Sequence, residues 1–135
     1  MLAKGALDGL RVLLLEDELL IALDVEQVCQ DEGCAEVTTF RELAEFEPAL
    51  LDSDRFDIAI IDVMMGDGST VSFAHTLRSR EIPFIFATGL SPTEETFKEF
   101  PGIPVVCKPY ATHELIAALQ TVLAGGTACP PRPRL

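Results

Sequence analysis

The sequence predicts an α/β domain built around a doubly wound, five-stranded parallel sheet. Three observations carry that expectation. Short apolar runs alternate with stretches of helical periodicity through five βα units. The run Phe56–Ile61 is nearly continuous in apolar residues, as a parallel strand covered on both faces requires. Acidic or basic residues stand where several of the runs end, the edge at which such sheets bind ligands.

Taken in order, Val12 to Leu15 is the first strand, closed by Glu16, Asp17 and Glu18. Leu19, Leu20, Leu23 and Val28 then recur at helical spacing, and Gly33 ends the helix. Cys34 to Phe40, with its β-branched residues, is the second strand, and Leu43, Phe46 and Leu50 suggest a second helix. Phe56 to Ile61 ends in Asp62, and Gly66, Asp67 and Gly68 form the loop beyond it. Val71, Ala74, Leu77 and Arg78 suit a third helix, Phe84 to Ala87 a fourth strand, and Ser91 with Pro92 opens a short helix reaching Phe100. Val105 to Cys107 is the fifth strand. Thr112 is the expected N-cap of the last helix, whose apolar face holds Leu115, Ile116, Leu119, Val122 and Leu123. Gly125 and Gly126 stop it, and residues 125–135 read as a flexible tail or the start of a linker.

At 135 residues with 48% hydrophobic content the chain is long enough for one cored domain. Twenty-two acidic residues against ten basic ones, a net charge of −12, would repel a phosphate backbone, so nucleic acid is not an expected direct partner. No apolar run approaches a membrane span and the first ten residues lack a secretion signal, so a cytoplasmic location without membrane contact is expected. Four cysteines without a C-x-x-C pair suggest neither zinc nor redox chemistry, and Cys29, Cys34 and Cys107 read as small buried hydrophobes. His75 and His113 read as ordinary surface histidines.

Parallel strands end on one rim, which gathers Glu16, Asp17, Asp62, Thr88 and Lys108. Close carboxylates repel by about 4 kcal/mol per pair at an intermediate dielectric unless a cation sits among them. A hard dication such as Mg²⁺, held by carboxylates together with a phosphate, answers that repulsion. With an ammonium and a hydroxyl alongside, such a site suits attack of a carboxylate on a transferring phosphoryl group. Taken alone, the Glu16-Asp17-Glu18 run equally suits a solvated helix start favoured by the helix dipole.

The joint pattern resembles the receiver domains of two-component and phosphorelay systems, in the stand-alone form of chemotaxis regulators, over residues 9–124. The matching residues are Glu16-Asp17 after "VLLL", Asp62 closing "FDIAIID", the loop "MGDG", the "ATG" carrying Thr88 and the "KPY" carrying Lys108. The resemblance implies a flavodoxin-like fold with strand order 2-1-3-4-5 and five helices. It implies Asp62 as phosphoacceptor, Asp17, Asp62 and the Met64 carbonyl as ligands of Mg²⁺ or Mn²⁺, Glu16 acting on the metal through water, and Thr88 and Lys108 gripping the phosphoryl oxygens. The implied partners are a histidine kinase or histidine phosphotransfer protein and a downstream effector protein. A homodimer is compatible with the sequence, which carries no signal for one. The activity is that of a phosphoacceptor signalling domain rather than an enzyme.

Several positions depart from the pattern. Gly66 stands where many receivers have proline, so a looser loop is expected. Val105 stands where many carry a rotating aromatic, so output is expected to rely on Thr88, the loop from Gly89, the short fourth helix or Tyr110. Met64 and Leu90 flank the implied path of hydrolytic water with apolar side chains, so the phosphoryl group is expected to persist, while Gly89 leaves the site open to donors. A cis peptide is implied before Pro109. The alternative within the family is a degenerate receiver acting as an unphosphorylated adaptor. Aspartate-nucleophile phosphatases resemble a D-x-D after the first strand, which is absent here, and a flavin or nucleotide site needs a loop of backbone donors where Glu16-Asp17-Glu18 stands.

Overall fold

The computed structural model describes residues 5–42, 56–65, 68–88, 100, 102–108 and 111–125, without the side chains of Met64, Met65, Gly68, Ser69, Thr88 and Gly125. Its elements are β1 (Arg11–Leu15), α1 (Leu19–Asp31), β2 (Glu36–Phe40), β3 (Ile58–Ile61), β4 (Met64–Met65), β5 (Gly68–Ser69), α2 (Val71–Ser79), β6 (Phe84–Thr88), β7 (Val105–Cys107) and α3 (Thr112–Gly125). The sheet runs β2-β1-β3-β6-β7, which is the expected order 2-1-3-4-5 once the separate ribbon β4-β5 is set aside. Its pairings are all parallel. Of the expected helices, the one around Leu43, Phe46 and Leu50 and all of the one before Phe100 fall outside the described residues.

Period-two alternation divides the core between the faces of the sheet. Leu13, Leu15, Ala59, Ile61, Phe84 and Phe86 face Phe73, Ala74 and Leu77 of α2. Val12, Leu14, Ile58, Ile60, Ile85 and Ala87 face Ala22, Val25 and Cys29 of α1 and Leu115, Leu119 and Val122 of α3. Each buried Val, Leu, Ile or Phe among them contributes about 1.5–3 kcal/mol relative to exposure, which fixes the register of the strands and hence the position of the residue that follows each.

Two expectations need correction, and α1 packs by a stripe the spacing did not single out. The leucines that carry the periodicity of α1 are not its buried face: Leu19, Leu20 and Leu23 are 48%, 80% and 51% exposed, and smaller residues, Ala22, Val25 and Cys29, meet the sheet. A stripe at helical spacing marks a helix without saying which stripe packs. Cys29 is buried, Cys34 half-buried and Cys107 exposed, because β7 is the last strand of the sheet and turns Cys107 outward. Thr112 is the first residue inside α3, and Glu114 instead reaches back to accept the Ala111 N–H at 2.9 Å, half of a capping box with Ala111 at the cap.

Helix α1 closes as the sequence indicates. Gly33 adopts φ +88°, and its N–H donates to the Gln30 carbonyl while the Cys34 N–H donates to the Cys29 carbonyl, a Schellman arrangement. The chain before β1 folds over this end. Ala6 N–H donates to a Glu32 carboxylate oxygen, Leu7 N–H to the Glu32 carbonyl, and the Leu7 side chain is wholly buried in the core upstream of Gly9.

Candidate functional site

Each site residue is delivered by the end of a strand. Leu15 pairs with Ile61 across β1 and β3, so Glu16 and Asp62, the next residue in each chain segment, emerge side by side. Two backbone bonds set them there: Asp62 N–H donates to the Leu15 carbonyl at 3.0 Å and Glu16 N–H to the Phe40 carbonyl at 3.1 Å. Thr88 ends β6 opposite Cys107 of β7, and Lys108 follows directly.

Lys108 crosses β6 to reach both acids. Its Nζ lies 2.8 Å from Asp62 Oδ2 and 2.9 Å from Glu16 Oε1. All three side chains are largely withdrawn from solvent, at 12% exposure for Lys108, 2% for Glu16 and 8% for Asp62. Burial raises the Glu16 carboxyl above its ordinary value, against the opposing effect of Lys108 and of the Glu18 N–H that donates to it at 3.1 Å. For Lys108, burial opposes the charged form, but the hydrogen bonds to Asp62 and Glu16 outweigh it and hold the ammonium above its ordinary value. Both directions reflect one arrangement, an ammonium held between two buried carboxylates.

Asp17, half-buried, completes a set of carboxylates in which Glu16, Asp17 and Asp62 each bring an oxygen within 4.8 Å of the others. With Lys108 counted, the cluster carries a formal charge of −2, and its donors are hard oxygens. That combination fits a divalent cation of the Mg²⁺ or Mn²⁺ type and suits neither zinc nor copper, which favour sulfur and imidazole.

The sequence did not single out Thr70, which the structure brings to the acceptor. Its hydroxyl donates to the Asp62 carbonyl at 2.6 Å and reaches the Val63 carbonyl at 3.1 Å, and the residue is fully buried. The available signal was a threonine immediately before the apolar spacing that starts at Val71, which marks a helix N-cap but not this contact.

The other expected residues divide. Val105 is half-buried and packs against the aromatic side of the core, where Phe86 and Phe100 stack edge to face at 5.4 Å between centroids. Met64 has its backbone in the β4-β5 ribbon, paired with Ser69. Gly66, Gly89, Leu90, Pro109 and Tyr110, and the Thr88 side chain, lie outside the described residues.

Fold and site together define a phosphoacceptor signalling module, and comparison with known proteins agrees. Residues 12–120 match the family described as response regulator receiver domain, and the chain belongs to that family. The cell cycle transcriptional regulator CtrA of Caulobacter vibrioides is 30% identical over 118 residues, covering 84% of this chain and 50% of CtrA. The chain thus spans about half the length of this curated relative. Among solved structures, the chemotaxis protein CheY4 of Vibrio cholerae is 27% identical with a TM-score of 0.70, covering 84% of this chain and 98% of CheY4. A response regulator receiver protein from Sinorhizobium medicae superposes with a TM-score of 0.75 at 23% identity, covering 87% of this chain and 97% of its own, a likeness of fold. Receiver domains act in phosphorelay signalling through a phosphoacceptor and bind a divalent metal ion at an acidic cluster; they are signalling domains rather than conventional enzymes. No helix among the described residues is long and apolar enough to cross a membrane.

Proposed function

We propose that this receiver takes a phosphoryl group onto Asp62 from the phosphohistidine of a histidine kinase or histidine phosphotransfer protein, and that the modified form changes its contacts with an effector protein in the cytoplasm. The observation that carries the reading is the 2.8 Å contact between Lys108 Nζ and Asp62 Oδ2, made where a central strand ends and beside two further carboxylates. An Asp62 oxygen attacks phosphorus in line, the P–N bond of the donor breaks, and its electron pair leaves with the imidazole. Lys108 releases Asp62 and follows the charge to a phosphoryl oxygen while remaining paired with Glu16; Thr88 donates to a second oxygen. Asp17, Asp62 and the Met64 carbonyl are the proposed ligands of Mg²⁺, with Mn²⁺ a substitute and Glu16 acting through water. When bound, the ion supplies charge neutralisation for the acceptor and the phosphoryl group.

The domain is proposed to span residues 9–124, with 125–135 as a tail. Gly89 gives donors access, apolar Met64 and Leu90 lengthen the phosphoryl lifetime, and Val105 leaves output to Thr88, the loop from Gly89, the short fourth helix or Tyr110, with a cis peptide proposed before Pro109. Intact mass after incubation with acetyl phosphate and Mg²⁺ tests the reading. One phosphoryl increment is expected on the wild type and none on Asp62→Ala or in chelator. Folded wild type that never gains the increment from a range of donors would overturn the proposal in favour of an unphosphorylated adaptor.

A further inference from the structure

Thr70 is the N-cap of α2, the position at which a threonine hydroxyl ordinarily accepts from an N–H of the first helical turn. Here no side-chain cap bond forms. The hydroxyl is turned away from the helix, donating to the Asp62 carbonyl at 2.6 Å and reaching the Val63 carbonyl at 3.1 Å. The backbone of the same residue makes two further bonds: its N–H donates to the Val63 carbonyl at 2.9 Å, and its carbonyl accepts from Ala74 N–H at 2.9 Å in α2. Thr70 is 0% exposed, so water does not compete for these groups.

We infer that Thr70 is a positioning residue for phosphoryl acceptance, fixing the backbone that carries Asp62; the inference rests on the phosphoacceptor reading above. The acceptor's main chain is held from two sides. On one, Asp62 N–H is tied to β1 through the Leu15 carbonyl. On the other, its carbonyl is tied through one hydroxyl to the start of α2. Between the two ties the chain runs out and back through the β4-β5 ribbon, with glycine rather than proline at position 66. The Thr70 hydroxyl is the side-chain tie on the carbonyl side of the acceptor. Because that hydroxyl does not cap α2, its loss does not remove a cap bond from the helix.

The test measures phosphorylation rate against acetyl phosphate concentration for wild type, Thr70→Val and Thr70→Ser. Valine keeps the branched shape without the hydroxyl, and serine restores the hydroxyl. A loosened acceptor should slow the maximal rate of Thr70→Val by roughly ten- to a hundredfold, with the half-saturating donor concentration unchanged because Thr70 does not touch the donor. Thr70→Ser should recover most of the rate, which a requirement for bulk at this position would not produce. A wild-type rate in Thr70→Val, or no recovery in Thr70→Ser, overturns the inference. Wild type that fails to be phosphorylated in the same experiment overturns the phosphoacceptor reading, and this inference with it. Proton NMR of the unmodified protein needs no variant: a slowly exchanging Thr70 hydroxyl in contact with Asp62 is expected, and a hydroxyl in rapid exchange with water refutes the bond.

Discussion

Replacing Lys108 with methionine keeps most of the length of the side chain and removes its charge. In the wild type one ammonium holds two carboxylates at 2.8 and 2.9 Å. Taking one partner from a buried pair costs about 3–5 kcal/mol, because the charge left behind is neither solvated nor neutralised. Here two such charges remain, so the upper part of that range is expected at pH 7.5 in chelator. For a small domain that loses about 1–3 kcal/mol per molar urea, the unfolding midpoint falls by about 1–5 M. The deficit should also depend on pH with a defined sign. Burial already raises Glu16 above its ordinary 4.5, and loss of the ammonium raises it further. A carboxyl raised in the folded state favours folding when protonated, a contribution complete below 4.5 and lost as pH rises through the folded-state value. The gap between variant and wild type should therefore shrink from pH 7.5 to pH 5, and millimolar Mg²⁺ at pH 7.5 should narrow it as well. Urea titrations followed by circular dichroism read both effects. A variant within about 1 kcal/mol of wild type at pH 7.5 in chelator, or a gap that does not change with pH, would refute a charge-balance role for Lys108.

Further outcomes follow from other residues. Burial pushes the Cys29 thiol from 9.0 up to about 12, so the folded state retains a proton the unfolded chain loses; stability should fall as pH rises from 9.0 to about 12, by up to about 4 kcal/mol, and Cys29→Ala should flatten that decline in an alkaline urea series. Peptide mapping after thiol labelling at neutral pH should find Cys107 modified in the native protein and Cys29 only after unfolding. Leu7→Ala should cost about 2–5 kcal/mol by thermal or urea unfolding, since Leu7 is wholly buried; a neutral result would mean that the segment before β1 is not part of the core. Met64→Asn combined with Leu90→Glu should release phosphate faster than wild type once Asp62 is loaded, as followed by decay of the mass increment; equal decay would remove the apolar pair as its cause.

β1, β3, β6 and β7 were legible because each is built on an apolar run of the kind a strand inside a parallel sheet demands, and β2 by its β-branched residues. Ile58–Ile61 and Val105–Cys107 could hardly be anything else between their turns. Their ends predicted the rim, so Glu16, Asp17, Asp62 and Lys108 could be brought together before any geometry was known. Orientation was less legible. Leu19, Leu20 and Leu23 share a helical spacing with the buried Ala22, Val25 and Cys29, and only the partner surface decides which stripe is covered. Cys107 reads as core in an apolar strand but faces outward, because a sequence does not state which strand is last in the sheet. Thr70 was hidden for a different reason. Its identity fits a helix cap, while its bond partner lies across the loop at Asp62.

The strand order also separates the two halves of the site. Asp62 follows β3, the middle strand, paired on both sides by β1 and β6, whereas Lys108 follows β7, which pairs with β6 alone among the described residues. Local openings start at margins, where fewer ladder bonds must break, and rarely reach the middle of a sheet short of global unfolding. Amide hydrogen exchange should therefore be slow at Ile60 and Ile61 and faster at Val106 and Cys107. Under the proposed function, a partner that disturbs the outer strand would shift Lys108 while Asp62 stays in register.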